Sequence, residues 1–311
     1  MFAAYITHSD CQKHDMGDQH PESPQRLGAI NDQLLISGLL DHMQCYDAPL
    51  VSAEQLLRAH DAAYLEQFAM SGANVPEDAY TRIDPDTRIN PYSYRAAQRA
   101  AGAAVLATDL VLSGQARVAF CNVRPPGHHA ERAAAGGFCF FNNVAIAIRH
   151  AQAVYGIARI ALVDFDVHHG NGSEDILHGD MGVLMCSSFE KDIYPFSGAI
   201  PRGPNMLNIG LPARSGGAVF RAAVSSHWLP ALEEFAPQIV FISAGFDGHK
   251  EDDMGNLGLV EADFAWITRQ LVELAARHAG GRIVSCLEGG YELSPLARSV
   301  AAHVRVLIGA D

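Results

Sequence analysis

The sequence predicts an α/β fold, one domain over residues 1–311, with a central, mostly parallel sheet and helices on both faces. Three observations lead there. Apolar runs of strand length alternate with segments of helical periodicity along nearly the whole chain. Side chains able to do chemistry gather directly after four of those strands: His128 and His129, Asp166 and His168, Asp247, and Tyr291. Open α/β folds place their sites there, at the carboxyl ends of strands. Finally, no repeat, low-complexity tract or linker divides the 311 residues, and 49% hydrophobic content supports a sizeable core.

Taken in order, residues 2–6 form a short apolar strand, followed by a polar, His-rich loop over 7–20. His20-Pro21-Glu22-Ser23-Pro24-Gln25-Arg26 leads into an amphipathic helix to about Leu40, with Ser23 placed to cap it and Pro24 at its first position. Residues 53–71 carry helical spacing at Leu56, Leu57, Tyr64, Leu65 and Phe68. Residues 75–91 lack periodicity and read as a long loop, a length that is often functional in compact domains. Residues 92–113 are Ala-rich and helical, stopped by Gly114. A strand over 116–123 runs into the rigid turn Arg124-Pro125-Pro126-Gly127-His128-His129. Gly136-Gly137-Phe138-Cys139-Phe140-Phe141-Asn142-Asn143 opens a helix to about Tyr155. The run 160–163 has the composition of a strand buried on both faces. Strands are expected at 182–188 and 206–211, then a helix over 218–235. A strand over 238–244 ends in Gly245-Phe246-Asp247-Gly248. After a helix over 262–278, a strand over 282–287 ends in Glu288-Gly289-Gly290-Tyr291, and a last helix runs to about Leu307.

The formal net charge of −13 disfavours non-specific binding to nucleic acid or an anionic membrane and suits a cationic substrate. An acidic surface kept for solubility accounts for it equally. The six cysteines, Cys11, Cys45, Cys121, Cys139, Cys186 and Cys286, form no C-x-x-C pair, and several lie in apolar stretches. That usage fits a reducing, cytoplasmic compartment. The first residues lack a basic n-region, and no stretch approaches the ~20 apolar residues of a membrane span.

After 160–163 the chain reads Asp164-Phe165-Asp166-Val167-His168-His169-Gly170-Asn171-Gly172. If the extended state continues, Asp164, Asp166 and His168 share one side. Two carboxylates and an imidazole gathered there repel or stay desolvated without a cation, so a divalent metal is the natural partner. The plainer alternative is a polar loop whose acids cap the next helix. Asp166, His168 and Asp247 would give three ligands and an open position, the form of a catalytic zinc site. Zinc in such a site lowers the pKa of water to about 7 and polarises a carbonyl. Alone, Asp247 would read as a turn or cap residue. His128 and His129 could divide proton transfer, one taking a proton from water and the other protonating a leaving amine. Asp164 and Asn171 are the candidates to fix their tautomers. Tyr291 could donate a hydrogen bond to an oxyanion, and Phe138 could line a channel, although both residue types commonly just pack. Together the parts describe metal-assisted hydrolysis of an amide.

These motifs, in this order, resemble the histone deacetylase family, nearest its class II and bacterial branch. The resemblance covers nearly the whole chain. It rests on the stretches from His20, Arg124, Gly137, Asp164 and Glu288 quoted above, together with Ser243-Ala244-Gly245-Phe246-Asp247. It implies the arginase/deacetylase fold. It implies Asp166, His168 and Asp247 as zinc ligands, with iron(II) suited to the same set. It makes His128 and His129 the tandem acid/base pair backed by Asp164 and Asn171, and Tyr291 the residue that polarises the acetyl carbonyl. Phe138 and Tyr194 become opposite walls of an acyl-lysine tunnel, which Gly137 approaches through its backbone. A structural potassium ion would sit at Asp164, the carbonyls of Asp166 and His168, Ser187 and Ser188. Two positions depart from the family's pattern, Phe196 in Pro195-Phe196-Ser197-Gly198 and Gly136 before Gly137-Phe138. Both are expected near the tunnel and its foot, where they bear on acyl-chain preference.

The expected activity is zinc-dependent deacetylation of acetyl-lysine in proteins or peptides. An acetylpolyamine amidohydrolase is the alternative within the family. Seven residues past Asp247 stands Met254, as in some lysine deacetylases, where polyamine enzymes can carry an acid. Glu251, Asp252 and Asp253 could still supply that charge or form a solvated loop. A non-catalytic acyl-lysine binding protein would be expected to lack a metal ligand or Tyr291, and neither is missing. A dinuclear manganese ureohydrolase needs another acid where His169-Gly170-Asn171 stands. The sequence leaves open the physiological substrate, self-association, and whether loops 7–20 and 75–91 form the tunnel rim.

Overall fold

The computed structural model describes residues 2–311. The chain runs β1 (Phe2–Thr7), α1 (Gln25–Ile36), β2 (Met43–Asp47), α2 (Ala53–Leu57), α3 (Ala62–Ala73), β3 (Thr81–Arg82), β4 (Arg88–Ile89), α4 (Ser93–Leu112), β5 (Ala116–Cys121) and α5 (Asn143–Tyr155). It continues through β6 (Ile160–Asp164), α6 (Asn171–Leu177), β7 (Val183–Glu190), β8 (Met206–Leu211), α7 (Gly217–Ala223), α8 (Leu229–Phe235), β9 (Ile239–Ala244), α9 (Glu261–His278), β10 (Ile283–Leu287) and α10 (Leu293–Ile308). Eight strands form one sheet in the order β2-β1-β5-β10-β9-β6-β7-β8, and every pairing in it is parallel. Two helix groups cover it, α1 with α9 and α10, and α4 with α5. Strands β6, β9 and β10 are buried at every residue, which is why they read as unbroken apolar runs rather than alternating ones.

The expected α/β layering holds, and the departures from it have local causes. β2 is an edge strand with mostly exposed polar residues, so it carries no apolar run to find. The helix expected over 53–71 breaks between α2 and α3. There His60 takes the backbone N–H of Asn142 on Nε2 (2.9 Å), and Asp61 N donates to Arg132 O (2.9 Å). Tertiary bonds win over local periodicity. The helix expected to run to Leu40 stops at Ile36, and Pro24, not Ser23, is its cap residue, without a side-chain bond. A two-residue hairpin, β3 with β4, lies inside the 75–91 loop. α6 starts on Asn171-Gly172, residues that disfavour a helix interior, and was not legible as a helix. A π-helical stretch, Val224–Trp228, joins α7 to α8.

Candidate active site

The central four strands of the sheet are β5, β10, β9 and β6, in that order. Each carries one group of the reactive residues just past its carboxyl end, so sheet order alone brings together groups up to 163 positions apart, from His128 to Tyr291.

β6 ends at Asp164, and the chain then bends instead of staying extended. This corrects the expectation that Asp164, Asp166 and His168 project together from a strand. Asp164 Oδ1 accepts from Asp166 N (3.1 Å), and Asp166 Oδ1 accepts from His168 N (2.9 Å), two successive side-chain turns that coil the loop. Asp166 and His168 meet Asp247 instead, with one ligand atom from each lying within 4.8 Å of the others, all three residues buried. His168 Nδ1 faces both carboxylates, 3.1 Å from Asp166 Oδ1 and 3.2 Å from Asp247 Oδ2. Asp247 Oδ1 accepts from Val167 N (2.9 Å), but its Oδ2 is buried without a hydrogen-bond partner. His168 Nδ1 beside it makes an ion contact but no aligned hydrogen bond, and a buried carboxylate oxygen without a hydrogen bond is costly; a metal cation satisfies it. Close packing of backbone completes the cradle: a Cβ at Gly245 would stand 2.0 Å from Asp166 Oδ2, and one at Gly289 2.0 Å from Asp247 Oδ2. The donor set of two carboxylates and one imidazole fits zinc or iron(II).

Charge in this cluster is unevenly held. Burial, then the neighbouring Asp166 charge, pushes Asp247 up to about 7. Burial opposes a charge on His168, yet the two carboxylates outweigh it and raise the ring to about 10. A cation bound among these groups would take over that compensation.

His128 and His129 follow the Pro-Pro-Gly turn with rings 4.0 Å apart. His128 Nδ1 meets Asp164 Oδ2 at 3.0 Å, and His129 Nδ1 meets Asn171 Oδ1 at 2.7 Å. Asn171 in turn donates through Nδ2 to Glu131 Oε1 (2.8 Å), which fixes its amide oxygen toward the ring. Both imidazoles therefore carry their proton on Nδ1 when neutral. Their surroundings push them apart. Burial opposes charge on both. At His128 the Asp166 and Asp164 carboxylates win, and it is raised well above the ordinary value. At His129 the neighbouring His128 and His168 add to burial, and it is held well below. Of the two, only His129 lines the cavity.

That cavity, of about 340 Å³, is bounded by Phe138, Tyr194, Gly137, Met254, Tyr291 and His168 among others. Phe138 stands edge-on to Tyr291 (5.8 Å) and Tyr194 edge-on to His129 (4.9 Å). Gly137 has φ +54°, and a Cβ there would lie 2.4 Å from the His129 ring. Burial, with the Asp247 carboxylate, raises the Tyr291 phenol well above its ordinary value, so it stays a donor. Phe196 and Gly136 lie near the tunnel as expected, Phe196 in its lining and Gly136 against two lining residues, but neither is placed at its foot. Phe196 is 80% exposed at the mouth, and Gly136 lies beside Asp84 and the Tyr194 hydroxyl. Loops 7–20 and 75–91 do meet at the rim: His20 Nε2 is 3.1 Å from Asp86 O, and residues of both line a groove beside Phe138 and Met254. Asp164 and Ser187 are register partners on β6 and β7, both fully buried, and Ser187 Oγ bonds His169 Nδ1 (3.0 Å).

Sequence reasoning gave no role to several residues that shape the site. Glu288 Oε2 accepts from the backbone of Gly127 (2.6 Å) and His128 (3.1 Å), fixing the His-His turn, and burial pushes its carboxyl up to about 7. Glu22 bridges Arg26 and Arg124, all three fully buried, and Arg26 donates to Gly290 O and Glu288 O, each at 2.5 Å. Their place inside the quoted motifs was the available signal. Among the described residues, no helix is long and apolar enough to cross a membrane.

The histone deacetylase domain family matches residues 20–307. The chain is 40% identical over 280 residues to a histone deacetylase-like amidohydrolase of Pseudomonas aeruginosa, covering 88% of this chain and 72% of that protein. It is 38% identical to the polyamine deacetylase HDAC10 of Mus musculus, across 93% of this chain and 45% of that one. The solved HDA15 HD domain superposes with a TM-score of 0.91 at 31% identity, covering 99% of this chain and 88% of that one.

Proposed function

The chain belongs to the histone deacetylase family of amidohydrolases, and from that premise we propose that it is a zinc-dependent deacetylase of acetyl-lysine in proteins or peptides. One observation carries the reading: a buried Asp166–His168–Asp247 donor set, with an unsatisfied Asp247 oxygen, lies under a cavity that His129 and Tyr291 also line.

Asp166, His168 and Asp247 would hold the metal, which when bound supplies a Lewis acid for the acetyl carbonyl and lowers the pKa of water. The lysine stem lies between Phe138 and Tyr194. His129, neutral and with Nδ1 committed to Asn171, accepts the proton of the attacking water on Nε2 and returns it to the leaving amine. This replaces the division of labour read from the sequence, because His128 does not line the cavity. Bonded to Asp164, His128 lies beside the His129 ring (4.0 Å) without entering the cavity. Tyr291 donates its phenolic proton in a hydrogen bond to the oxyanion that develops on the carbonyl oxygen. A structural potassium ion at Asp164, Ser187, Ser188 and the carbonyls of Asp166 and His168 belongs to the same reading, supported by the burial and register of Asp164 and Ser187.

The similarity to a polyamine deacetylase supports a second reading, acetylpolyamine hydrolysis. The rim weighs against it. Met254 occupies the mouth, Glu251 is paired with Arg298 (3.1 Å), and Asp252 is bound to backbone N–H groups. Neither of these two acids is free to receive a distal ammonium, but Asp253 and the cavity-lining Asp86 are exposed carboxylates, so the case against rests on Met254. Acetate release from an acetyl-lysine peptide and from N-acetylputrescine, run in parallel, decides between them. Peptide turnover well above polyamine turnover is expected, and the reverse order sinks the lysine reading. Metal binding with neither substrate turned over would favour an acyl-lysine binding protein.

A further inference from the structure

The Gly290–Tyr291 peptide group is gripped at both poles. Arg26 Nε donates to Gly290 O (2.5 Å), and Tyr291 N donates to Asp252 Oδ2 (2.6 Å). The same Oδ2 accepts from Glu292 N (3.1 Å), so the peptide units on both sides of the Tyr291 Cα are held. External restraint is needed here, because Gly290 sits at φ +113°, where its own backbone preferences hold little. Asp252 is 4% exposed, and among the described residues no Lys, Arg or His lies within ion-pair distance of it. A buried carboxylate without a cation is expensive, and its three side-chain bonds all go to backbone N–H groups. One of them, from Met254 N to Oδ1 (3.1 Å), is a local turn that an exposed Asp could make as well. The other two cross 39 and 40 positions to the loop after β10, and they account for the burial.

We propose that Asp252 is a positioning residue that aims Tyr291: its carboxylate fixes the backbone on both sides of Tyr291 and so sets where the phenol meets the substrate carbonyl. The inference rests on Tyr291 being the oxyanion donor. Asp252 is absent from both the metal-ligand set and the cavity lining. It acts through Tyr291, and its loss misplaces a donor without removing it.

The test is a double-mutant cycle on the metal-loaded full chain, with Asp252→Asn and Tyr291→Phe singly and together. Asp252→Ala serves as a second probe of the same position. Steady-state kinetics on an acetyl-lysine peptide are read alongside metal content and the 19F spectrum of fluorotyrosine placed at position 291. Asp252→Asn is expected to lower kcat about tenfold or more, with KM within about threefold and metal content unchanged, since misplacement by about 1 Å can cost 10²-fold. In the Tyr291→Phe background the same change should cost less than about twofold, because the donor it aims is already gone. The fluorine resonance should be single in the wild type and broadened or split in Asp252→Asn. Equal losses in both backgrounds, or an unchanged kcat, overturn the inference. If Tyr291→Phe itself keeps wild-type turnover, the oxyanion reading falls and takes this inference with it. A crippled Tyr291→Phe with additive Asp252 effects leaves that reading standing and removes only the role of Asp252.

Discussion

Replacing Glu22 with Gln should destabilise the whole domain, although Glu22 touches no reacting atom. Its carboxylate meets Arg124 Nε at 2.5 Å, Arg124 Nη2 at 2.6 Å and Arg26 Nη1 at 3.0 Å, and all three side chains are fully buried. Gln keeps the shape but turns an N–H donor toward guanidinium donors and leaves two buried cations without a counter-charge. Hydrogen bonds to charged groups contribute roughly 1.5–3 kcal/mol each, so three such bonds bound the loss from above. Partial repair by the amide oxygen brings the expectation to about 3–5 kcal/mol, the range for breaking a buried pair from one side. Against a total of about 5–15 kcal/mol, that is a large fraction. Urea unfolding followed by the fluorescence of Trp228 and Trp266 measures it, as a lower midpoint at unchanged slope. The pH dependence has a definite sign. Burial alone would raise the Glu22 carboxyl, but Arg124, with His14 and Arg26, holds it well below the carboxylate range. A depressed carboxyl stabilises the fold above its unfolded value, about 4.3, and that contribution fades as pH falls toward the folded value. The gap between wild type and Glu22→Gln should therefore be flat above about pH 5 and narrow in acid. A loss under about 1 kcal/mol, or a gap that ignores pH, would refute the reasoning.

Asp247→Ala should reduce zinc affinity on the order of 10²-fold or more, beyond the usual cost of an outer-sphere change, as measured by competition with a chromophoric chelator. Tyr291→Phe should bind zinc normally and lose about 10²–10³-fold in kcat, as for a missing oxyanion donor; unchanged turnover would end the proposed mechanism. Gly137→Ala should nearly abolish activity, because φ +54° strains any side chain and the new Cβ would stand 2.4 Å from the His129 ring. A Gly137→Ala enzyme with normal kcat and a normal melting temperature would show that the ring is free to move aside. Phe196→Ser should raise KM by about tenfold for peptides with a large apolar residue beside the acetyl-lysine, the worth of about 1.4 kcal/mol of lost apolar contact, and leave acetyl-lysine amide unaffected.

The reactive residues were legible because each follows directly on a buried apolar strand, so strand order in the sheet settles their convergence. Asp164 shows the limit of that logic. Alternation along an extended strand put it on one side with Asp166 and His168, but the Asp164–Asp166 and Asp166–His168 side-chain turns coil the loop, and Asp164 meets His128, the partner it was expected to serve. Asp164 and Asn171, which orient the two histidines, were legible beside the metal-ligand motif, but the residues that fix the backbone of the site were not, because their partners are far off in sequence. Arg26 reaches Gly290 across 264 positions, and Glu288 reaches Gly127 across 161. Local pattern carries no trace of either pairing. β2 escaped for a different reason, since an exposed edge strand does not need an apolar run.

The site divides into a part that cannot vary and a part that can. Around the metal ligands, backbone stands so close that a single methyl at Gly245, Gly289 or Gly137 would come within 2.4 Å of Asp166, Asp247 or His129. Charges there are interlocked as well: Glu22, Arg26 and Arg124 on one side and Glu288 on the other fix the backbone that carries Tyr291 and His128. A substitution in this region changes several groups at once, so selection for a new substrate has little to work with. At the mouth, Asp86 and Phe196 are exposed, and Met254 is half-buried on a loop. A change at Asp86 or Phe196 alters what a substrate meets before its acyl group enters, and it moves no buried bond. On the proposed function, substrate choice is therefore a property of the rim, and bond cleavage a property of the four central strand ends. Asp252 is where the two touch, since one carboxylate binds the backbone of Met254 and of Tyr291.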